Sequence, residues 1–264
     1  MRIIGKLLAG AISLAISGTA YAQATPPPAA PPAPAATTGE VDKQALAALQ
    51  VAVDYLRKLK SFELRVEATS DEVVDDDTKI ELIDQVRYDF TGPDKLFIDW
   101  RSDRVSRQLY FNGKTATVFA PRMGYYASLA MPGTVEDFLL SAAQDYGIIF
   151  PLPDIFLWAI KTVPPYKAQR ALRVGYARIA GADTDQYLFR DGDVDWQVWI
   201  ERGERPLLRK IVLTSRTDPL QPKYSALLQW NLNPELTPDR FTFQPPEGTR
   251  PIDIVNFRAA GAAQ

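Results

Sequence analysis

Alternating apolar and polar residues run through most of this sequence, and short turn signals separate the runs. Phe62, Leu64 and Val66 alternate with charged residues, as expected for a strand with one buried face. Other runs border Asn112-Gly113 and Asp191-Gly192, pairs that favour tight hairpin turns with positive backbone angles. Strands joined by such turns pair antiparallel. The sequence therefore predicts a meandering antiparallel sheet.

The predicted strands begin after residue 61 and continue almost to the C-terminus. The acidic run Asp75–Asp77 marks the turn of the first hairpin, and Gly203–Pro206 marks a later turn. The predicted strands comprise residues 62–67, 80–86, 96–101, 108–111, 115–119, 186–189, 196–201, 210–214, 224–231 and 241–243.

Three segments have the spacing of helices instead. Apolar residues recur at steps of three and four over residues 42–60, which predicts an amphipathic helix. Thr134 and Asp137 resemble a capping box, and Gly147 suits the left-handed residue that ends a helix. A short and very apolar helix is predicted over residues 154–161. These elements predict an α+β domain in which the sheet covers the apolar helices.

The N-terminus has the features of a secretory signal peptide. Residues 1–22 combine a charged start at Arg2 and Lys6, an apolar stretch, and small residues before a cleavage site after Ala22. The alternative is a retained membrane anchor, but the apolar stretch is shorter than the roughly 20 residues that cross a bilayer. No cysteine is present for acylation. We expect a soluble periplasmic protein that is secreted through the inner membrane and is not a lipoprotein.

The remaining chain divides by composition. Residues 23–40 are almost entirely Ala, Pro and Thr, which is typical of a disordered linker. Its proline runs could alternatively dock into a groove on a partner protein. Residues 41–255 are long enough for a single β-rich domain with a sizeable core, and residues 256–264 are expected to form a flexible tail.

The composition excludes several classes of function. The chain contains no histidine and no cysteine, which removes the usual nucleophilic triads, imidazole acid–base catalysis and nearly all zinc sites. The formal net charge of −2 provides no electrostatic drive toward nucleic acid. No phosphate-binding glycine loop or nucleophile elbow occurs in the sequence. We therefore expect no enzymatic activity, no cofactor and no nucleic-acid partner.

Acidic clusters are the remaining candidates for catalysis or metal binding. Asp75–Asp77 lies at a predicted hairpin turn, and Asp191, Asp193 and Asp195 surround another. Acidic residues at turns usually accept local hydrogen bonds, and the spacing does not match a calcium loop. We predict neither a catalytic residue nor a metal site.

Aromatic and aliphatic residues carry the positive functional signal. The chain has 5 tryptophans, 11 tyrosines and 12 phenylalanines, most of which are expected to form an ordinary core. Where a sheet faces a few short helices, the two layers can leave an apolar cleft for a ligand. The residues predicted to line this cavity are Leu96, Ile98, Trp100, Phe138, Phe156, Trp158, Trp196, Val198 and Ile200.

Several segments resemble a known periplasmic family. The strings LKSFELRVEATSDEV, YFNGKTATVFAPRMGYYA and MPGTVEDFLLSAAQDYGI resemble domain of unknown function 2092, and the closing FTFQPPEGTRPIDI fits the wider outer-membrane lipoprotein carrier (LolA/LolB-like) superfamily. The resemblance implies a strongly curved antiparallel sheet, forming an incomplete barrel, with helices covering its concave face. It also implies an apolar cavity that accepts acyl chains. No ligand-contacting residue of the superfamily can be assigned to a position here.

Three functional hypotheses follow from these patterns. The first is a soluble periplasmic carrier or chaperone that binds a hydrophobic ligand, such as an acyl chain, a lipid or a lipidated protein. The second is a non-catalytic module that binds another envelope protein through sheet edges or the proline-rich linker. The third is a carboxylate-dependent hydrolase of envelope glycans, which requires two carboxylates about 5–10 Å apart in an open cleft.

Overall fold

A computed structural model describes residues 41–148, 150–160 and 168–254 of the chain, and only the backbone of residues 154 and 158–160. The predicted signal peptide, linker and C-terminal tail lie outside the described residues. Residues 161–167, which include the predicted end of the third helix, also lie outside them.

The first helix, α1, extends over Lys43–Lys58 and confirms the prediction for residues 42–60. It begins at Asp42, whose side chain accepts a hydrogen bond of 2.7 Å from the backbone N–H of Gln44. Arg57 and Lys58 occupy the last turn, where positive charge interacts favourably with the helix dipole. One face is fully buried, and its residues are Ala45, Leu49, Ala52, Val53 and Leu56.

Two more helices follow in the middle of the chain. α2 comprises Val135–Asp145, and the predicted capping box is present, since Thr134 and Asp137 hydrogen bond reciprocally. Gly147 adopts the positive φ of 63° expected just after this helix. α3 comprises Pro153–Ile160, close to the predicted position.

In the described residues, a single sheet contains twelve strands in the order β12-β6-β5-β4-β3-β2-β1-β11-β10-β9-β8-β7. The central strand β1 therefore joins two antiparallel meanders, and among these twelve strands only the pair of β12 and β6 is parallel. The strands are β1 (Ser61–Val73), β2 (Lys79–Thr91), β3 (Lys95–Ser102), β4 (Ser106–Phe111), β5 (Thr115–Ala120), β6 (Tyr125–Ala130), β7 (Arg170–Ile179), β8 (Ala182–Asp191), β9 (Val194–Glu201), β10 (Leu208–Ser215), β11 (Lys223–Asn231) and β12 (Arg250–Pro251).

The sheet is open and curved, as predicted. Its end strands, β12 and β7, do not pair with each other. Ile98 on β3 and Trp196 on β9 lie on opposite sides of β1, yet both belong to one buried cluster that also contains residues of all three helices. The sheet must wrap around the helices for this to occur, so the fold is an α+β incomplete barrel with helices on its concave face.

The two predicted glycine turns differ from the expected geometry. At Asn112-Gly113 only the glycine has positive φ, at 82°, and Asn112 instead accepts hydrogen bonds from the backbone N–H groups of Lys114 and Thr115 through its side chain. The second hairpin turns at Gly192-Asp193, with φ of 56° at Gly192. Both hairpins are present, but Asn112-Gly113 does not form the expected type I′ turn.

The prediction of a strand at residues 241–243 is wrong. Pro238–Phe241 forms a 3₁₀ helix, and Phe243 packs its ring against Tyr110, Phe119 and Tyr126. This segment therefore crosses β4, β5 and β6 on the convex face of the sheet instead of extending it. We call residues 238–251 the C-terminal strap.

Candidate functional site

The candidate site is the buried cluster between the concave face of the sheet and the helices, here called the concave core. The residues predicted from the sequence occupy it as follows. Leu96, Ile98, Phe138, Phe156, Trp196, Val198 and Ile200 are all buried members of this cluster. Trp100 is partly buried and packs against it, and the side chain of Trp158 lies outside the described part of the chain. The structure thus brings the described candidates together around one apolar interior.

Phe156 on α3 occupies the centre of the concave core. Its ring lies 5.9 Å from that of Phe62, 4.9 Å from that of Tyr88 and 6.2 Å from that of Phe90, measured between centroids. Phe62 in turn contacts Trp230 on β11 at 5.1 Å. These separations are those of favourable aromatic contacts. α3 is therefore seated on the central strands by ring packing.

α2 is seated on the neighbouring strands in a similar way. The ring of Phe138 stacks on that of Phe111 at 4.9 Å and approaches that of Phe150 at 6.1 Å. The N-terminal end of α2 is held more firmly, because the N–H of Val135 donates a hydrogen bond of 2.9 Å to the carbonyl oxygen of Pro93. α2 therefore has an anchored end and an apolar face.

A small recess separates α2 from α3. Its volume is about 10 Å³, close to the least space that can hold one water molecule. Apolar side chains and one proline surround it: Leu139, Leu140, Ala143, Ile148, Phe150, Pro153 and Leu157. Pockets for small-molecule ligands usually measure about 300–1,000 Å³, so this recess holds no large ligand in the present conformation.

One polar contact crosses from the central strands to the segment before α3. The hydroxyl of Tyr88 donates a hydrogen bond of 2.5 Å to the carbonyl oxygen of Pro151. Burial raises the pKa of Tyr88 well above its ordinary value, so its hydroxyl stays neutral.

The rim of the concave core contains a buried acid that was not predicted from the sequence. Asp84 lies on β2 and is 8% exposed. The indole N–H of Trp100 donates a hydrogen bond of 2.7 Å to its Oδ1 atom. Burial raises the pKa of Asp84, the hydrogen bond from Trp100 opposes this effect, and repulsion from Asp103 adds to it. Asp84, Val86 and Tyr88 are buried at every second position of β2. The period of two could therefore have indicated that Asp84 faces inward.

Tyr224 on β11 is the second polar group at this rim that was not predicted. Its hydroxyl is buried and has no hydrogen-bond partner among the described residues. Burial raises the pKa of Tyr224, and the negative charge of Asp84 contributes to the shift. The sequence pattern placed Tyr224 in a strand but indicated no role for it.

The convex face carries the most buried charge. Asp89 is fully buried and forms ion pairs with Arg240 of the C-terminal strap and with Arg87, at 3.0 Å for the latter. Arg87 also pairs with Glu63 at 2.6 Å. These carboxylates are thus neutralised by arginines, in an arrangement typical of structural ion pairs. Within the described ranges, no group of three acidic residues is arranged to hold a metal ion.

Comparison with known proteins identifies the family of the chain. The sequence model of the family described as "Predicted periplasmic protein (DUF2092)" matches residues 45–255, which confirms the resemblance noted from the sequence. The comparison with curated proteins gives no match. Across the part of the chain that is described, no helix has the length and apolar character to span a membrane.

Several solved structures are similar to this chain at low identity. An uncharacterised conserved protein from Thermus thermophilus is 8% identical, with 78% of this chain and 99% of that chain covered and a TM-score of 0.46. The lipoprotein LppX of Mycobacterium tuberculosis is 14% identical, with 72% and 96% covered and a TM-score of 0.43. A LolA superfamily protein from Nitrosomonas europaea is 11% identical, with 75% and 97% covered and a TM-score of 0.31.

Proposed function

The chain belongs to the DUF2092 family of predicted periplasmic proteins, and on that premise we propose that it is a soluble carrier or chaperone for a hydrophobic ligand. The ligand is an acyl chain, a lipid or a lipidated protein, and it occupies the space between the concave face of the sheet and helices α2 and α3. In this proposal, the predicted residues other than Trp158, whose side chain is not described, line that space. The protein acts in the periplasm after signal-peptide cleavage, without a lipid anchor and without catalysis.

The observation that carries this proposal is the apolar character of both layers of the concave core. Strands from both meanders supply buried aliphatic and aromatic side chains, and all three helices cover them with more of the same kind. α3, with the sequence PDIFLWAI, contains a single charged residue. A hydrophobic ligand that entered here would leave water for apolar surroundings, so the burial of its apolar surface alone can supply the binding affinity.

Ligand entry through the recess between α2 and α3, which is about 10 Å³ among the described residues, requires α3 and the adjoining end of α2 to move away from the sheet. The contacts of Phe156 and Phe138 with the strands are ring packing, which a lipid tail can replace. The hydrogen bond from Tyr88 to Pro151 is the directional contact to be broken. The start of α2 remains fixed at Pro93 and provides a pivot.

The energetics of this exchange favour long chains. Each methylene removed from water contributes about 0.8 kcal/mol, which corresponds to a roughly fourfold change in affinity per methylene. The cost of separating the aromatic contacts is the same for every ligand. Short chains should therefore bind poorly, and long chains should bind well.

Two measurements test the proposal. Native mass spectrometry of protein purified from its own periplasm should show a bound apolar molecule, and binding of saturated fatty acids should strengthen about fourfold per added methylene until the space is filled. A mass that is always ligand-free, together with no uptake at any chain length, contradicts the proposal. In that case, a protein partner trapped by cross-linking in cells would favour the protein-binding module.

A further inference from the structure

The inward face of β2 changes from apolar to acidic along its length. Phe90 and Tyr88 lie beneath α3, Val86 follows, and Asp84 ends the series near the rim. At about 3.3 Å per residue, Asp84 lies roughly 20 Å from Phe90 along the strand. The hydrocarbon core of a bilayer is about 30 Å thick and holds two acyl layers. One acyl layer is about 15 Å thick. The apolar stretch of β2 is therefore long enough for one extended acyl chain to lie along it.

Three strands contribute inward-facing groups to this rim. Trp100 on β3 pairs with Val86 on β2 and holds Asp84 by its indole N–H. Tyr224 lies on β11, on the other side of β1, and faces inward in step with Ala226 and Leu228 of the concave core. We call Asp84, Trp100 and Tyr224 the rim triad.

The rim triad has unused capacity to accept hydrogen bonds. Among the described residues, Oδ1 of Asp84 accepts a hydrogen bond from the Trp100 indole, while the nearby Arg101 and Arg104 form ion pairs with Asp99 and Glu72 instead. The hydroxyl of Tyr224 has no hydrogen-bond partner in the described part of the chain. Asp103, the acidic neighbour, accepts from the N–H of Ile83 at 3.0 Å and is exposed.

Buried polar groups without partners are costly, and a buried carboxylate favours a cationic partner. An ammonium group has several donors and one positive charge. It can donate to Asp84, and the Tyr224 hydroxyl, which is near enough for the charge of Asp84 to raise its pKa, offers a second acceptor. A carboxylate or phosphate would be repelled by Asp84 and Asp103, so a fatty acid binds with its head group away from this rim.

We propose that the rim triad is a head-group site for an amphiphile with a primary ammonium head, whose tail extends along β2 toward Phe156. This inference rests on the proposed function, since the tail occupies the hydrophobic site described above. Asp84 supplies the counter-charge, Tyr224 supplies a second acceptor, and Trp100 orients the carboxylate.

The test compares two probes with the same tail. Hexadecylamine and hexadecanol are titrated into the protein, and the ratio of their dissociation constants isolates the head group. We expect the amine to bind at least tenfold more tightly than the alcohol. Asp84→Asn should reduce this preference to about twofold or less. Tyr224→Phe should reduce it by a smaller factor.

Asp103→Asn is the matched control, because it removes one negative charge from an exposed neighbour without touching the rim triad. The preference should remain at least tenfold in that variant. Equal binding of both probes to the native protein overturns the inference. An equal loss of the preference for the amine in Asp84→Asn and Asp103→Asn also overturns it. Equal binding would leave the proposed function intact.

Failure of both probes to bind contradicts the proposed function, and the head-group site is then tested alone. Butylamine, which lacks a long tail, is titrated while the indole N–H resonance of Trp100 is followed by NMR. A saturable shift that Asp84→Asn abolishes supports a site for amines. The absence of a shift overturns it.

Discussion

The two faces of the sheet are held by different kinds of contact. On the concave face, Phe156 and Phe138 pack against aromatic rings, contacts with little directional demand. On the convex face, Arg240 of the C-terminal strap pairs with buried Asp89 and lies 3.7 Å from the ring centroid of Phe97, which fixes one geometry. Apolar layers can separate and repack around another apolar molecule, whereas a buried ion pair cannot be replaced by a lipid. The concave face can therefore adapt to a ligand, whereas the convex face keeps one fixed arrangement.

The largest expected effect comes from removing one aromatic ring from each face. Phe156→Ala and Phe97→Ala should each lower the free energy of unfolding by about 3–5 kcal/mol, because both rings are buried and leave cavities. Only the first cavity lies in the proposed ligand space. Saturating hexadecanoic acid should therefore stabilise Phe97→Ala by the same amount as the native protein, because the proposed ligand space is intact, and should stabilise Phe156→Ala by more, because the ligand can also fill the new cavity.

Urea unfolding with and without the fatty acid measures this difference. An equal gain in stability in both variants would mean that the ligand does not reach the cavity left by Phe156, which would contradict the assignment of the ligand to the concave core.

The next effect concerns the ion pair of the convex face. Arg240→Ala should lower the free energy of unfolding by about 3 kcal/mol, because Asp89 is 0% exposed and loses one of its two arginine partners. Arg65→Ala removes an arginine that is 63% exposed from its pair with Glu63, and it should cost about 0.5 kcal/mol or less. Denaturant unfolding compares the two.

Fatty-acid affinity provides the second readout for the convex face. Arg240→Ala should leave that affinity unchanged at temperatures where the variant is folded. A parallel loss of affinity and stability would show that the strap shapes the concave core, and the distinction between the faces would not hold.

Sequence patterns predicted the concave face far better than the convex face. Phe62, Leu64 and Val66 repeat every second residue and were recognised as strand β1, because one-sided burial leaves that period. Thr134 and Asp137 signalled the start of α2 by their spacing alone. Local chemistry determines such features, so one sequence is sufficient to find them.

Long-range contacts account for what was missed. Phe241–Phe243 alternates like a strand, yet this segment packs across β4, β5 and β6 through Phe243, and nothing local reveals that partner. β7 was missed because its pattern of burial is weak, with Val174 and Tyr176 exposed. Asp84 and Tyr224 are 140 positions apart in sequence and meet only through the pairing of three strands. The candidate site was therefore predicted in its apolar part and missed in its polar part.

A smaller effect is expected at the contact between the central strands and the segment before α3. Tyr88→Phe removes the hydroxyl that donates to Pro151 and should lower the free energy of unfolding by about 1 kcal/mol. The same change should speed uptake of a fluorescent fatty acid measured by stopped flow, since this hydrogen bond must break for entry. Tyr110→Phe, on the convex face, removes the hydroxyl that donates to Gln108 and should leave uptake unchanged. Equal acceleration in both variants would contradict the proposed entry route.

The smallest expected effect on stability is at Asp84, and its sign is informative. Its folded-state pKa is raised above the ordinary value of 3.8, so the folded protein holds this proton more tightly than the unfolded chain. Ionisation of Asp84 therefore costs no stability below pH 3.8, and the cost develops as the pH rises through the folded-state pKa. Asparagine resembles the protonated acid and keeps an oxygen acceptor for Trp100.

Asp84→Asn should consequently melt at a slightly higher temperature than the native protein near neutral pH, with the difference vanishing below pH 3.8. Circular dichroism melts across this range measure it, and a less stable variant at neutral pH would contradict the prediction. Hexadecylamine should reverse the order, because only the native carboxylate gains an ionic partner. On the convex face the buried carboxylate of Asp89 already has its arginines, whereas on the concave face the cost at Asp84 persists until a ligand supplies the positive charge.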